Sequence, residues 1–379
     1  MSKKTTIIVN GRFHAFDYAA ELQRRGALHK LISTMPRSRA RKFNIAPGNY
    51  VGLPVFEAIK VVWRRVFRRE PPTLWYARLF TRVALWFVPR DSEVIISFAG
   101  YSEEIFKAKK LRHALKVLDR SSTHTLANIA LKQRAAEYHR LPWAPHPEKF
   151  IERELSEYAL AHKILLPSTF VKQTFVDHGV SEEKVIQIPY AFSQKKFDPP
   201  STRPSPKSKA VLFVGQLIPR KGVGVLIDAM HRVRQQYPDY TLWLVGALNP
   251  AFDPQGLRQD WITYHGILRG HDLFNVYSRA SVFCLPSFEE GLAYVLTEAN
   301  YFDLPIVATP NSGIEDVTRG DNEHFLAPAG DPVGLAEKIV EAIESTQRPG
   351  KGKANEKDAS MPMTWERYCD QLLVTLDHA

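Results

Sequence analysis

The sequence predicts an α/β protein made of two doubly wound domains, each a parallel sheet with helices on both faces. Short apolar runs alternate with helical stretches through the first half of the chain. The alternation stops in the Pro-, Ser- and Lys-rich segment "FSQKKFDPPSTRPSPKSKA" and then starts again. The length of 379 residues also suits two domains better than one.

The first domain is predicted to occupy residues 1–195 and the linker residues 196–209. An apolar run at residues 5–9 is the first strand, and the helix after it covers about residues 17–25. Further candidate strands lie at residues 93–98, 115–119, 163–167 and 184–189.

The second domain is predicted over residues 210–361, and a last segment over residues 362–379 forms one amphipathic helix. Its periodicity alone leaves open whether this helix caps the second domain or crosses back to the first. The candidate strands of the second domain are residues 210–215, 241–246, 261–266, 281–286 and 304–309.

Composition narrows the class of protein. The chain is 44% hydrophobic and 24% charged, which is ordinary for a globular protein. It has no apolar run of the roughly 18 residues needed to cross a membrane, and its N-terminus does not resemble a signal peptide. Cys284 and Cys369 lack metal-ligand spacing, so we expect a reducing, cytoplasmic environment.

Charge is unevenly distributed. The chain carries a net charge of +11, of which residues 1–200 hold +16 and residues 201–379 hold −5. Residues 36–90 contain 12 Lys and Arg against 2 Asp and Glu, interleaved with aromatic residues. Such a surface can bind nucleic acid, acidic lipid head groups or another anion.

One helix concentrates this basic character. In residues 56–69, a single helical face carries apolar side chains, with arginines on its flanks. We expect it to dock on an anionic membrane; the alternative is that its apolar residues belong to the core. The apolar residues are Phe56, Ile59, Val62, Trp63, Val66 and Phe67, and the arginines are Arg64, Arg65, Arg68 and Arg69.

Two junctions between a strand and a helix carry candidate chemistry. In "FVGQLIPRKGVGVLIDA", the strand ends at Gly215 and Lys221 stands where a helix begins, a position that suits a phosphate. In "PSFEEGLAYVLTEA", Gly291 makes the turn, and the N–H groups of Leu292 and Ala293 would point into the crevice at the strand ends.

The second junction also carries Glu290 before the helix and Glu298 two turns into it. Ionised carboxylates can accept hydrogen bonds from vicinal sugar hydroxyls. Taken singly, each glutamate is more often a solvated helix residue, and Lys221 is as often a solvated turn residue.

With these motifs in place, the chain resembles the retaining nucleotide-sugar glycosyltransferases of family four, which have the two-domain GT-B fold. The resemblance covers nearly the whole chain. It includes "VLFVGQLIPRKG", "YHGILRGHDLFNVYSRASVFCLPSFEEGLAYVLTEANYFDLPIVATPNSG" and the terminal "TWERYCDQLL". The family's closing helix returns to the first domain, which favours that path for residues 362–379.

The resemblance implies a role for each matching residue. Glu290 faces the donor sugar, Glu298 holds the nucleotide ribose, and Lys221 neutralises the diphosphate. Leu268 lies beside the base, and residues 310–316 form another loop near the donor. Gly11 and its neighbours, Arg12 included, face the diphosphate from the first domain, and His124 of "DRSSTHT" is the acceptor-side histidine.

The chain departs from the family pattern at several positions. Gln216 stands where an Arg is usual, which removes a cation that Arg220 or Arg12 could replace. The first loop, "NGRFHAFD", lacks the usual Gly-Gly pair and carries His14, which taken alone is more often a structural residue. Ala191 and His324 each replace a usual Gly.

The expected function is transfer of a sugar, with retention, from a nucleoside-diphosphate sugar to a hydroxyl of a cell-envelope glycan or lipid-linked acceptor. No Asp-x-Asp occurs, so we expect no essential metal, and no cofactor beyond the donor. Rival hypotheses are a GT-B epimerase or phosphorylase, a protein that binds an anionic polymer, and a non-catalytic scaffold. No nucleic-acid-binding motif appears.

Overall fold

The computed structural model describes residues 3–192, 208–249, 257–317, 324–347 and 363–378. Most of the predicted linker therefore lies outside the described residues. Two parallel sheets, each flanked by helices, organise the chain.

The first sheet has seven strands and lies within residues 5–187. Its spatial order is β3-β2-β1-β4-β5-β6-β7. The strands are β1 (Thr5–Val9), β2 (Leu28–Ser33), β3 (Tyr50–Gly52), β4 (Val94–Phe98), β5 (Leu115–Asp119), β6 (Lys163–Leu166) and β7 (Val185–Gln187). The helices are α1 (Ala15–Arg24), α2 (Arg37–Arg41), α3 (Val55–Phe67), α4 (Thr73–Phe87), α5 (Glu103–Phe106), α6 (Thr125–Tyr138), α7 (Glu148–Leu160) and α8 (Thr169–Val176).

The second sheet has six strands in the order β10-β9-β8-β11-β12-β13. The strands are β8 (Ala210–Val214), β9 (Thr241–Val245), β10 (Ile262–Gly266), β11 (Val282–Leu285), β12 (Ile306–Ala308) and β13 (His324–Leu326). The helices are α9 (Val223–Gln236), α10 (Gly270–Arg279), α11 (Tyr294–Tyr301), α12 (Pro332–Gln347) and α13 (Trp365–Asp377).

Buried apolar residues explain why these segments form strands. All five residues of β1, β4 and β8 are buried, as expected for central strands covered on both faces. In both sheets the strand order reverses beside the first strand, between β1 and β4 and between β8 and β11. Ligands bind at such switch points in doubly wound sheets, beyond the carboxyl ends of the strands.

The last helix, α13, packs on the first domain. Tyr368, Cys369 and Leu372 are fully buried in the same cluster as Tyr18 of α1. Arg25 forms an ion pair with Asp370 at the edge of this contact. The apolar face of α13 is thus covered by the domain that begins the chain.

Candidate functional site

A cleft of about 570 Å³ lies between the two domains, at the carboxyl ends of the strands that flank both switch points. The loops after β1, β5, β8 and β11 all contribute to it. The first domain contributes Arg12, Phe13, His14, Asp17, Ser121, Ser122, Asn128, Lys132 and Tyr190, and the second contributes Arg220, Glu289, Glu290, Gly291, Leu292 and Tyr294.

Glu290 is the centre of a charged cluster on the second-domain wall. Its carboxylate pairs with the ammonium of Lys221, with Arg220 Nη1 at 3.2 Å, and accepts from Ser287 Oγ at 3.0 Å. Burial alone would raise the pKa of Glu290, but Lys221 and Arg220 outweigh it and hold the pKa below its usual value. Glu290, which is predicted to bind the donor sugar, is therefore ionised. It is paired with Lys221 and Arg220, which are predicted to bind the diphosphate.

Lys221 does not begin an α-helix, contrary to the prediction. It ends a 3₁₀ turn, and α9 starts two residues later at Val223. The change of direction is made by Gly222, which has φ of +70° and where a Cβ would lie 2.1 Å from the carbonyl oxygen of Pro286. The ammonium of Lys221 reaches Glu290 from this turn.

Glu289 has a role that the sequence did not predict. Its carboxylate is 3.1 Å from Thr123 Oγ1 and 3.3 Å from Thr123 N, both across the domain boundary. It also lies 3.4 Å from Arg220 Nη1. Glu289 therefore links the cation of one domain to the backbone of the other.

Gly291 lies at a tight contact between the two domains. A Cβ at this position would lie 1.8 Å from the carbonyl oxygen of Ser121, and Ser168 Oγ donates to the Gly291 carbonyl at 2.6 Å. Leu292 lines the cleft and packs in the first-domain cluster. The N–H of Ala293 donates to the Ser312 carbonyl at 3.1 Å, so it does not point into the cleft as predicted.

Glu298 occupies a different environment from Glu290. It lies on α11, which begins at Tyr294 rather than at the glycine turn. Its carboxylate is 2% exposed and accepts from Tyr277 OH at 2.8 Å. It is not among the residues that line the cleft.

Three other predicted donor residues of the second domain, Gly215, Gln216 and Leu268, are not among the residues that line the cleft. A Cβ on Gly215 would lie 3.9 Å from Lys221 Cε, which places the end of β8 beside the lysine. Gln216 is exposed, and Leu268 is half-buried against the second-domain core. Arg220 and Arg12, the two predicted replacements for the missing arginine, both line the cleft.

The first-domain wall is built by the loop after β1. The Gly11 carbonyl accepts from Ser33 Oγ at 2.6 Å, and the Arg12 guanidinium lies 5.1 Å from the centre of the Phe43 ring. His14 follows and bonds the buried Asp119 at 2.9 Å. The sequence favoured a structural role for His14, whereas the structure brings it into the cleft.

His124 is not brought to the cleft, contrary to its predicted acceptor-side role. It is 2% exposed and caps α6, accepting from Leu126 N at 3.4 Å. Its ring stacks on His178 with centroids 4.3 Å apart. Burial, followed by the neighbouring His178 and Arg120, lowers the pKa of His124 to about 4.

The basic helix of the first domain differs from its prediction at the residues nearest the core. Phe56 is 2% exposed and belongs to the core, and the half-buried Ile59 packs against the same cluster. Val62, Val66 and Phe67 are 60%, 63% and 51% exposed, and Trp63 is half-buried. The core alternative therefore holds for Phe56 and in part for Ile59, and it fails for Val62, Val66 and Phe67.

Neither a metal site nor a membrane-spanning helix is found in the parts of the chain that the structure describes. No group of three or more His, Cys, Asp or Glu side chains is arranged to hold a metal ion there. Nor is any helix among those residues long and apolar enough to span a bilayer.

Known proteins resemble the chain at two levels. The family model described as Glycosyl transferases group 1 matches residues 208–345. The amylovoran biosynthesis glycosyltransferase AmsK of Erwinia amylovora is 26% identical over 261 residues, covering 65% of this chain and 60% of AmsK. The spore coat protein SA of Bacillus subtilis is 26% identical over 179 residues, covering 44% of this chain and 48% of that protein. The chain thus spans about half the length of these curated relatives.

Solved structures match the whole chain. Anabaena HepE, crystallised with UDP and glucose, superposes with a TM-score of 0.66 over 100% of both chains at 16% identity. The glycosyltransferase WaaG superposes with a TM-score of 0.60 over 99% of this chain and 95% of WaaG at 13% identity. The predicted GT-B fold is confirmed, and residues 208–345 match the family of group 1 glycosyl transferases, as the predicted resemblance implies.

Proposed function

We propose that the protein is a retaining glycosyltransferase that moves a sugar from a nucleoside-diphosphate sugar to a hydroxyl of a second substrate. The observation that carries this proposal is the cluster of Arg220, Lys221 and Glu290 at the switch point of the second sheet. It combines cations for a diphosphate with a carboxylate for sugar hydroxyls. HepE, which shares the fold, was crystallised with UDP and glucose.

Donor binding would rearrange this cluster. A diphosphate entering the cleft competes with Glu290 for Lys221 and Arg220, because all three groups are now paired with one another. The released carboxylate of Glu290 would then accept hydrogen bonds from hydroxyls of the donor sugar. Arg12 approaches from the opposite wall and supplies the cation that Gln216 does not.

In the chemical step, the protein needs only to position the two substrates and to stabilise the charge on the leaving group. The bond from the anomeric carbon to the diphosphate breaks as the acceptor oxygen bonds to that carbon, and the acceptor proton passes to the departing phosphate oxygen. Lys221 and Arg220 stabilise the charge that builds up there. We propose that neither a protein base nor a metal is essential.

The remaining donor contacts are proposals from the family resemblance. Leu268 would lie beside the base and Glu298 would hold the ribose hydroxyls. The Glu298 carboxylate accepts a hydrogen bond from Tyr277 OH at 2.8 Å. To bind the ribose, it must either accept a second hydrogen bond beside this one or exchange it for one from a ribose hydroxyl. Gly11 would let the donor approach the backbone after β1.

We propose that the acceptor is a cell-envelope glycan or a lipid-linked sugar, met by a cytoplasmic protein at an anionic membrane surface. AmsK is named for amylovoran biosynthesis, and another relative is a phosphatidyl-myo-inositol mannosyltransferase of Mycobacterium leprae. The latter is 28% identical over 173 residues, or 44% of this chain.

The membrane proposal depends on the α3–α4 tip, defined as residues 61–75. Val62, Val66 and Phe67 are exposed beside Trp63, whose ring lies 5.4 Å from that of Trp75. Exposed apolar groups on this scale are unusual on a soluble surface without a partner. They could enter the interface of a bilayer.

The arginines at the tip favour a partner surface of negative charge. Arg64, Arg65, Arg68 and Arg69 are exposed, and among the described residues the acidic partner recorded for this group is Glu70, 3.3 Å from Arg64. Each basic residue near an anionic lipid surface contributes about 1 kcal/mol. Charge complementarity therefore favours an anionic membrane over a neutral one.

Incubation with a panel of sugar nucleotides tests the activity. Release of nucleoside diphosphate together with a new glycoside supports transfer, and NMR of the anomeric proton decides retention. A changed sugar nucleotide without release would indicate an epimerase. No turnover of any donor would favour a non-catalytic or polymer-binding protein.

Sedimentation with vesicles tests the membrane surface. Binding should require phosphatidylglycerol in phosphatidylcholine vesicles and should fall with added salt. It should weaken when the four tip arginines become Gln, and a control of equal charge elsewhere on the surface should bind as the wild type does. Equal recovery in the supernatant with both vesicle types at low salt would contradict the proposal. The control replaces Arg112, Arg232, Arg258 and Lys338 with Gln.

A further inference from the structure

His14 combines a place in the cleft with an unusually well fixed ring. It stands at the start of α1, just beyond the carboxyl end of β1 and beside the switch point. The residue is 8% exposed, and the side chain lines the interdomain cleft on the wall opposite Glu290.

A buried carboxylate holds one ring nitrogen. His14 Nε2 lies 2.9 Å from Asp119 Oδ2, and the same oxygen accepts from Tyr18 OH at 3.3 Å. An ionised carboxylate can only accept, so Nε2 carries the proton. In the neutral ring, Nδ1 is then an acceptor with a free lone pair.

Aromatic side chains fix the plane of the ring. Tyr190 is 4.3 Å away between ring centroids, Phe98 is 5.3 Å away, and Trp365 of α13 lies parallel at 6.4 Å. No hydrogen bond to Nδ1 is formed by the residues that the structure describes. The ring is therefore held in one orientation, with its acceptor nitrogen left for a ligand.

The chemistry of Nδ1 selects the ligand. A lone pair cannot bind a diphosphate, whose oxygens are also acceptors, but it can take a hydrogen bond from a hydroxyl. Arg12 of the same loop can reach the diphosphate, whereas the carboxylate that suits the donor sugar, Glu290, belongs to the second-domain wall. A hydroxyl that meets His14 on the first-domain wall therefore fits the acceptor better than the donor sugar.

We propose that His14 Nδ1 binds the reacting hydroxyl of the acceptor and that Asp119 positions His14 for this contact. The inference rests on the proposed glycosyl transfer. The hydrogen bond aims the acceptor oxygen at the anomeric carbon. As the new bond forms, the hydroxyl proton leaves its hydrogen bond to Nδ1 and passes to the departing diphosphate oxygen, so His14 holds the acceptor up to that step and keeps its own proton on Nε2.

Two substitutions separate this role from a structural one. In His14→Gln, the side-chain amide reaches the position of Nε2, so the bond to Asp119 can persist while the acceptor at Nδ1 is lost. In His14→Asn, the shorter side chain can place its amide oxygen near the position of Nδ1, without the bond to Asp119. A structural role predicts that Gln is the milder change, and the proposed role predicts that Asn is.

The assay uses the full-length protein, the sugar nucleotide that gives the greatest turnover, and n-octyl glycosides as acceptor probes. His14→Gln should lower transfer by about 10²-fold, because the acceptor oxygen is no longer aimed. Hydrolysis of the donor by water and affinity for the nucleoside diphosphate should stay unchanged. His14→Asn should recover part of the transfer, and the surface control His231→Gln should match the wild type.

Nitrogen-15 NMR of histidine-labelled protein gives a readout that needs no acceptor. The His14 ring should show a proton on Nε2 and none on Nδ1, and Asp119→Asn should shift this signal and lower transfer by about 10-fold or more. A proton on Nδ1, unchanged transfer in His14→Gln, or an equal loss of transfer and hydrolysis would overturn the proposal. If the wild type turns over no sugar nucleotide, the proposed function itself fails, which is a separate result.

Discussion

The two walls of the cleft differ in how their charges are compensated. On the second-domain wall, Arg220 and Lys221 face Glu289 and Glu290, so cations and carboxylates already neutralise each other. On the first-domain wall, neither Arg12 nor Lys132 has an ion pair among the residues that the structure describes. An entering anion must therefore displace a carboxylate on one wall, whereas the other wall is ready to receive it.

We expect this difference to couple donor binding to the availability of Glu290. The carboxylate is paired with Lys221 and Arg220 and should become available to the donor sugar when a diphosphate takes these partners. Glu289 pairs with Arg220 and accepts a hydrogen bond from Thr123 across the domain boundary. Its contacts should therefore also change when a diphosphate binds Arg220.

Replacing Glu290 with Ala should remove transfer while the fold survives. A contact made mainly in the transition state is lost, so the rate should fall by about 10²-fold or more. Steady-state kinetics with circular dichroism as the folding control measures this. The matched control is Glu341→Ala, which replaces an exposed glutamate of the same domain. A near-normal turnover number for Glu290→Ala would contradict the role assigned to Glu290.

Replacing Lys221 with Ala should weaken both turnover and binding of the free nucleoside diphosphate. Loss of a charge-assisted hydrogen bond should reduce affinity by about 10-fold or more. Calorimetry compares the variant with Lys209→Ala, whose lysine pairs with Asp239 on the surface. Equal affinities for the two variants would remove Lys221 from the site.

Adding a cation at position 216 should act in the opposite direction. Gln216 lies two residues after the end of β8 and is exposed, so the larger side chain of an arginine can be accommodated there. Gln216→Arg should tighten diphosphate binding several-fold if the side chain reaches the cleft. Calorimetry at two salt concentrations checks it, and unchanged or weaker binding would contradict the prediction.

His124 offers a test on stability rather than activity. Its pKa is lowered to about 4 in the folded chain, against about 6.5 for an unperturbed histidine. The unfolded state therefore binds more protons in this interval, and stability is fully present above pH 6.5 and decreases as pH falls toward 4. Denaturant unfolding should show a shallower decrease for His124→Asn, which keeps an N-cap acceptor but cannot titrate. Identical pH slopes would contradict the buried, neutral histidine.

Much of the fold follows from the sequence because buried central strands have an unmistakable pattern. The runs at β1, β4 and β8 are mostly apolar and buried throughout, and they were predicted. Strand β2 was missed because His29 and Lys30 interrupt its apolar run. Strands β3 and β13, of three residues each, were also missed, whereas the equally short β7 and β12 were predicted because they lie within the candidate runs at residues 184–189 and 304–309.

The site was less predictable, because spacing along the chain does not give surroundings in space. Glu290 and Glu298 look alike in sequence, yet one pairs with Lys221 and the other bonds Tyr277. His14 and Asp119 meet across 105 positions of sequence, so no local motif contains them both. Helices α3 and α13 are both amphipathic, but only α13 has its apolar face covered.

The central claim is that the cleft binds a sugar nucleotide through the second-domain cluster. The most direct measurement is a crystal structure of the full-length protein with the nucleoside diphosphate that binds it. We predict that the diphosphate lies within hydrogen-bond distance of Lys221 and Arg220, with the Glu290 carboxylate released from both. A diphosphate bound elsewhere, or bound in the cleft while both pairs to Glu290 stay intact, would contradict the account.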